Sequence, residues 1–395
     1  MLDLLPKLPD DPILGLAAAC RADPNPDKVD LTLGIYMNEA GICPVFDAVR
    51  VAQEALVAGE VSKAYLPPAG PAEFNTGMQK LLFGADSAVL RDGRVSSIAA
   101  PGGCGALRIG AEIIQAAAPG ARVWVSDPTW PVHIPLLGSV GLEFATYRYY
   151  DAATHGVDFD AMVEDLKGAG PGEFVLLHGC CHNPCGADLS QAQWAVIADM
   201  AEAQGFIPFI DIAYQGLGDG LEEDAAGLRQ LAARVPEMII AASCSKNMGL
   251  YRERTGCTVF LCKNSENAEA LVSQAKVAAR RVYSMPPAHG ALLAGRVLSD
   301  AALTASWQDE LLGMCARING VRSDLVEKLQ ASTGRDFEFI RQEKGMFSFL
   351  GLSKDQVQKL RDEYAVYMLG SSRINVAGVN ARNVDYLANA VARVL

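Results

Sequence analysis

The sequence is short of positive charge: 34 Lys and Arg stand against 46 Asp and Glu, a formal charge of −12 over 395 residues. Nucleic acids and anionic membranes bind through basic surface, so neither is expected as the main partner. An anionic small molecule held by a few placed arginines stays open. Long hydrophobic runs are missing as well, and none reaches the ~18 residues that a membrane-crossing helix needs. The opening stretch carries Pro6, Pro9 and Pro12 but no basic start and no long apolar segment, so a secretory signal is not expected. Cysteine is sparse by the standard of disulfide-built domains, with ten in the chain and two of them adjacent, Cys180 and Cys181. Reduced thiols in a cytoplasmic protein are the expectation. The run Cys180-Cys181-His182-Asn183-Pro184-Cys185 looks like a metal knuckle, yet no second Cys or His pair follows at finger or ribbon spacing, and no metal is expected.

What is present is a globular composition, half apolar and a fifth charged, with enough length for two domains, possible for three, at ~100–200 residues each. Short apolar runs recur at Val123–Val125, Phe174–Leu177, Ile207–Ile210, Met238–Ala242 and Thr258–Leu261. Continuous apolar runs of this length fit strands buried on both faces of a mostly parallel sheet. Helical patterns lie between them, at Gln191–Gln204 and Ala225–Arg234. After Asp300 the pattern changes. Met314, Ile318, Val321, Leu325 and Leu329 keep helical spacing, and shorter elements follow over 337–340, 345–350, 354–364, 373–376 and 383–395. This predicts a smaller α+β domain, which the N-terminal segment joins. An open α/β sheet binds its ligand beyond the carboxyl ends of its strands, and polar residues gather there.

Four such places carry candidate chemistry. Pro101-Gly102-Gly103-Cys104-Gly105 leads into the pattern Ile109, Ile113, Ile114, a Gly-rich helix start whose free N–H groups and dipole suit a phosphate. It matches neither the Walker loop nor the dinucleotide fingerprint, and such starts are often only structural. Ser243-Cys244-Ser245-Lys246 places one of 12 lysines at a strand end among small residues, with Arg254 following. Partial burial beside cations is what a Schiff-base lysine requires, although a buried ion pair would look the same. Asp211 ends the strand Ile207–Ile210, with Tyr214 three residues on; it either caps the next turn or pairs with a protonated ring nitrogen. Asn183 follows a strand directly, in an Asn-Pro pair that also forms turns. An anchored lysine, a carboxylate, a hydroxyl donor and a phosphate cradle together answer the needs of pyridoxal phosphate.

The motifs HGCCHNP, DIAYQG, SKNMGLYRER, YSMPPAHG and GMFSF occur in one order along the chain, from Pro12-Ile13-Leu14-Gly15-Leu16 onward. In these the sequence resembles a class I (fold type I) pyridoxal-phosphate-dependent aminotransferase of the aspartate/aromatic subgroup. The resemblance implies an α/β fold with a mostly parallel central sheet, divided into an arm (1–11), a smaller domain (12–42 and 310–395) and a large cofactor domain (43–309). It implies that Lys246 carries the cofactor and moves the proton, that Asp211 holds the pyridine nitrogen protonated, and that His133 stands behind Asp211, unless it is a core histidine. Asn183 and Tyr214 would bond the phenolic oxygen and Trp130 would stack on the ring. Gly103, Cys104, Ser243, Ser245 and Arg254 would surround the phosphate, with Tyr65 reaching in from the second subunit of a homodimer. Arg373 would grip the substrate carboxylate near Gly34, while Trp130 and Asn183 also touch substrate. Arg280, rather than its neighbour Arg281, would cross the interface to a side-chain carboxylate.

Departures from that pattern bear on specificity. Where aspartate-preferring members carry polar groups, this chain has Ile35, Met37, Cys43, Ala64, Cys104 and Met285, with Leu350 after the GMFSF motif. Burying an apolar side chain contributes about 1.5–3 kcal/mol, so this lining favours bulky apolar substrates. The expected activity is transamination between an L-amino acid, aromatic favoured and dicarboxylic accepted, and a 2-oxo acid such as 2-oxoglutarate, in ping-pong fashion through pyridoxamine phosphate. The alternatives are an aspartate aminotransferase and, more remotely, a pyridoxal-dependent lyase or decarboxylase on the same fold.

Overall fold

A computed structural model describes residues 2–9 and 11–395. Met1 and Asp10 of the expected arm lie outside the described residues; of the rest, Leu2–Leu4 form a 3-10 turn with exposed leucines. The chain divides into two compact units, one of residues 1–43, 184–186 and 318–395, the other of 44–183 and 187–317. The division falls inside the 33-residue helix Ala301–Thr333, between Arg317 and Ile318.

The larger unit is built on seven strands: β1 (Val95–Pro101), β2 (Arg122–Asp127), β3 (Glu143–Arg148), β4 (Phe174–His178), β5 (Ile207–Ile212), β6 (Met238–Ser243) and β7 (Thr255–Leu261). Their order in the sheet is β1-β7-β6-β5-β4-β2-β3. Every pairing is parallel except those of β7, which runs antiparallel to both β1 and β6. Every residue of β6 and β7 is buried, which explains the unbroken apolar character of both runs. Such a run reads the same in either direction, so the reversal of β7 is settled by pairing alone. The core lies between sheet and helices, with Ile98, Val123, Leu176, Phe209 and Phe260 meeting Leu107 and Ile114 of the helix Gly102–Ala117.

The helix Gln191–Gln204 spans the residues its pattern predicts. Ser190 and Gln193 form a reciprocal capping box at its start, and Gly205 ends it in the left-handed conformation. The other expected helix of this region runs Leu221–Ala232, beginning earlier because Glu222, Glu223 and Asp224 suit the positive end of the helix dipole. Strands β1 and β3 escape the apolar-run criterion, since Ser96 and Ser97 interrupt one and exposed Glu143 and Arg148 bound the other.

The smaller unit holds two two-stranded sheets, Val29–Asp30 parallel with Val366–Tyr367 and Phe347–Phe349 antiparallel with Arg373–Asn375. Helices Lys354–Tyr364 and Val384–Val394 pack with the C-terminal half of the long helix around Leu31, Leu325, Leu329, Ile374 and Leu387. Leu350 belongs to this core. It is a packing residue rather than part of a substrate-facing lining, a correction to the reading from sequence.

Candidate active site

Because β7 runs against its neighbours, its first residue lies at the edge where β1 and β6 end: Thr255 is paired with Pro101, and Gly256 with Ser243. Arg254, just ahead of β7, is thereby delivered to the carboxyl edge of the sheet. There β1 turns without a loop into the helix Gly102–Ala117. Gly102 makes that turn at φ +67°, and a Cβ on it would stand 2.6 Å from Nη2 of Arg254. Gly103 is less confined, the Cβ it lacks lying at an ordinary contact distance of 3.4 Å from that of Ser243. Ser243 Oγ lies 3.1 Å from Ser245 Oγ. A helix start with Cys104 in its first turn, two hydroxyls and a guanidinium therefore converge, a combination that suits a phosphate dianion.

Lys246 follows β6, with its Nζ 4.6 Å from the centroid of the Tyr214 ring. Burial pushes its ammonium below the ordinary lysine range, and Arg254 adds to this, while Asp211 and Cys104 pull the other way. The amine thus sheds its proton more readily than a surface lysine, so a larger fraction stands as the free amine that can act as nucleophile or base. Asp211, near the end of β5, has the opposite balance. Burial alone would raise its carboxyl, but the hydrogen bond from His133 and the electrostatic pull of His133 and Lys246 outweigh that and lower it. It is therefore a fixed anion facing the amine.

Behind Asp211 lies a chain of polar groups. His133 Nε2 donates to Asp211 Oδ2 at 3.0 Å, since an ionised carboxylate can only accept. Its Nδ1 is 2.8 Å from Thr129 Oγ1, which lies 3.2 Å from Nε2 of His178. Burial, then the charge of His133, lowers His178 to about 3. Trp130 meets His133 edge-on with 5.3 Å between ring centroids. Thr129 and His178 were not singled out from the sequence; the available signal is that each follows or ends a strand in a polar cluster, at Asp127-Pro128-Thr129 and His178-Gly179.

The structure brings together Lys246, Asp211, Tyr214, Gly103, Cys104, Ser243, Ser245, Arg254, Trp130 and His133 within the larger unit, and Asn183 is buried there as well. Tyr65 is 89% exposed. Arg280 is exposed too and donates to the hydroxyl of Ser284, whereas Arg281 pairs with Glu112 at 3.3 Å. In the smaller unit Arg373 is buried on its strand, its Nη2 donating to the Thr32 carbonyl at 2.7 Å. Asn375 donates to the carbonyls of Leu33 and Ile35 at 2.6 and 2.8 Å, fixing the segment around Gly34.

The cysteine run gathers differently from a metal centre. Cys180, Cys181 and Asp224 lie within 4.8 Å of one another, all buried. Asp224, however, accepts the N–H groups of Gly216, Gly218 and Asp219 at 2.8–3.0 Å, which ties down the turn after β5. The hydrogen bond with Cys181 lowers the Cys180 thiol, but burial and the charges of Asp224, Asp188 and Asp211 together outweigh it and push the group up to about 12.

A buried amine, a carboxylate held ionised beside it and an anion cradle at a helix start fit pyridoxal phosphate, whose aldehyde, ring nitrogen and phosphate ask for those three groups. The chain matches the model of the family described as aminotransferase class I and II over residues 26–391. It is 46% identical to an aspartate aminotransferase of Escherichia coli (strain K12) over 396 residues, covering 100% of both chains. It is 44% identical to an aromatic-amino-acid aminotransferase of Paracoccus denitrificans, covering 99% of each. A solved aromatic-amino-acid aminotransferase from Burkholderia pseudomallei, covalently bound to pyridoxal phosphate, is similar with a TM-score of 0.98 and 44% identity, over 100% of this chain and 99% of that one. This chain belongs to the class I and II aminotransferases: it is a pyridoxal-phosphate-dependent enzyme of the fold type I class, and its reaction is transamination.

Proposed function

We propose that the enzyme moves the amino group of an L-amino acid, aromatic by preference and dicarboxylic by tolerance, to a 2-oxo acid such as 2-oxoglutarate. It does so as a cytoplasmic homodimer. Two adjacent arginines carry this reading. Arg281 shares Glu112 with Arg108, at 3.3 and 2.9 Å, while Arg280 spends its guanidinium on a neutral hydroxyl, a bond that a substrate carboxylate readily replaces. Arg280 thus offers charge to a dicarboxylate without obliging the substrate to bring one. Half-buried Ile35 and Met37, beside the segment that Asn375 pins, offer apolar surface to an aromatic ring.

The assigned roles follow from the site. Gly103, Cys104, Ser243, Ser245 and Arg254 would hold the phosphate, Asp211 the ring nitrogen, Asn183 and Tyr214 the phenolic oxygen, and Trp130 would cover the ring. Bound pyridoxal phosphate supplies an electron sink that makes the Cα hydrogen of the amino acid acidic. Lys246, whose charged form burial disfavours, would take that proton from Cα and deliver it to the carbon that is the free cofactor's aldehyde. Asp211, kept ionised by His133, stabilises positive charge opposite it throughout. Arg373 grips the α-carboxylate through its fork near Gly34 and so fixes which Cα bond breaks. Tyr65 and Arg280 act from the second subunit.

The aspartate reading keeps support from the 46% identical Escherichia coli relative. Measuring kcat/KM for phenylalanine, tyrosine and aspartate against 2-oxoglutarate decides between them. Phenylalanine and tyrosine at least matching aspartate is expected; a preference for aspartate of about a hundredfold, some 2.7 kcal/mol in transition-state stabilisation, overturns the aromatic assignment.

A further inference from the structure

Arg322, on the helix Ala301–Thr333, is 1% exposed. A guanidinium removed from water is costly unless its donors are matched, and here they are spent on one short segment. Nη1 donates to the Ile340 carbonyl at 2.8 Å and to Ser348 Oγ at 2.7 Å. Nη2 donates to the carbonyls of Lys344, Gly345 and Phe347 at 3.2, 2.8 and 2.7 Å. Glu343, equally buried, supplies the countercharge at 3.5 Å and accepts from the Ser348 hydroxyl. The backbone of 340–348 is thereby fixed from inside the unit's core.

That segment leads into the strand Phe347–Phe349, which is paired with Arg373–Asn375 in the register Phe349↔Arg373 and Phe347↔Asn375. The Phe347 ring faces the Arg373 guanidinium, with 4.4 Å from Cζ to the ring centroid. The ring also occupies the space that a side chain at residue 34 would need: a Cβ on Gly34 would stand 2.6 Å from its tip.

We propose that Phe347, fastened from behind by Arg322 and Glu343, is a positioning residue that sets the plane of the Arg373 guanidinium. The proposal rests on the reading of Arg373 as the grip for the substrate carboxylate. An aromatic face takes up the flat side of a guanidinium and so restrains the plane in which its N–H donors lie. Bidentate capture of a carboxylate uses those donors, and it demands the right plane. The contribution of Phe347 is therefore the same for every ligand with an α-carboxylate, whatever its side chain. It falls on KM rather than kcat, because the carboxylate is held alike before and during reaction.

The test uses the cofactor-loaded enzyme and two carboxylates that cannot donate an amino group, 3-phenylpropionate and succinate, with Kd measured by calorimetry. Phe347→Leu is expected to raise both Kd values in parallel by about tenfold, in line with the strength of a desolvated cation–π contact. The KM values for phenylalanine and aspartate rise alike, and kcat stays within about threefold. Where the Leu variant melts early, Phe347→Met fills the volume without the ring. The deciding arm is the pair with Arg373→Lys: in that background the loss of the ring should cost nothing further. A Phe347→Leu effect that persists there, or that differs markedly between the two ligands, overturns the proposal. Unchanged Kd values in Arg373→Lys alone overturn the carboxylate-grip reading itself, a distinguishable failure.

Discussion

At Lys246 and at His178 burial acts on a basic group in the same direction, and with different consequences. For the lysine it yields a reactive amine. For the histidine, lowered from 6.5 to about 3, it yields a residue that stays neutral inside the fold down to acid pH. The unfolded chain protonates His178 below about pH 6.5 while the folded one does not, so in this window the unfolded state binds more protons and stability rises with pH. It is lost as the pH falls from 6.5 towards 3, at up to about 1.4 kcal/mol per pH unit for one proton. Replacing His178 by Asn should flatten the pH dependence of urea-unfolding free energy between pH 4.5 and 6.5 relative to the parent. Equal slopes would show that His178 takes up its proton in the folded state. At this scale Lys246 and Asp211 were legible as candidates, because each ends a strand in a short polar motif against an apolar background, and Arg373 was one through the family resemblance. Thr129, Phe347 and Arg322 were not, since a threonine, a phenylalanine and a helical arginine are ordinary until their partners, 49, 26 and 25 residues or so away, are known.

At the scale of elements, the proposed phosphate cradle depends on two backbone positions with no side chain. Gly102 combines a left-handed φ with the closest approach to Arg254, and Gly256 on β7 lies so near Gly102 that a Cβ would stand 2.7 Å from its carbonyl carbon. Gly102→Ala should therefore displace the arginine rather than merely strain the turn. Loss of one charge-assisted contact, about 1.5–3 kcal/mol, corresponds to roughly a tenfold or greater rise in Kd for pyridoxal phosphate, measured by equilibrium dialysis on the apo form. Unchanged affinity would mean that Arg254 does not depend on that glycine. The Gly-rich helix start was visible from sequence, and so were strands β4, β5 and β6. The antiparallel course of β7, which delivers Arg254 to the same edge, was not, because a strand buried on both faces has no directional signature.

For the whole molecule, the net charge of −12 describes a surface, whereas the proposed chemistry turns on Lys246, Arg254, Arg280 and Arg373. No helix among the described residues is long and apolar enough to cross a membrane. Leu2, Leu4, Leu5 and Leu8 are exposed, as are Val61 and Tyr65, more apolar surface in two short segments than solitary exposed residues account for. A second copy of the chain is the proposed cover, and sedimentation should show twice the 42.0 kDa chain mass. Mixed dimers offer a sharper measurement. Neither Lys246→Ala nor Arg280→Ala should use aspartate well alone, yet co-refolded mixtures should recover such activity, up to about a quarter of the parental sites, if Arg280 serves the other subunit's Lys246. No recovery in verified mixed dimers would place Arg280 in its own chain's site.

The sequence by itself determined the class of chemistry and the mostly parallel α/β core, and it made Lys246, Asp211 and Arg254 candidates, because each follows from local pattern: apolar runs, glycine at a helix start, polar residues at strand ends; Arg280 and Arg373 were candidates through the family resemblance. Tertiary structure alone decided which arginine of the 280–281 pair is free of a carboxylate and that Leu350 is core. It also decided that a buried Arg322 stands behind the ring facing Arg373. The physical reason is common to all three. Charge pairing, burial and ring stacking are properties of neighbours in space, and the residues concerned are brought together by strand pairing and core packing that local sequence does not encode.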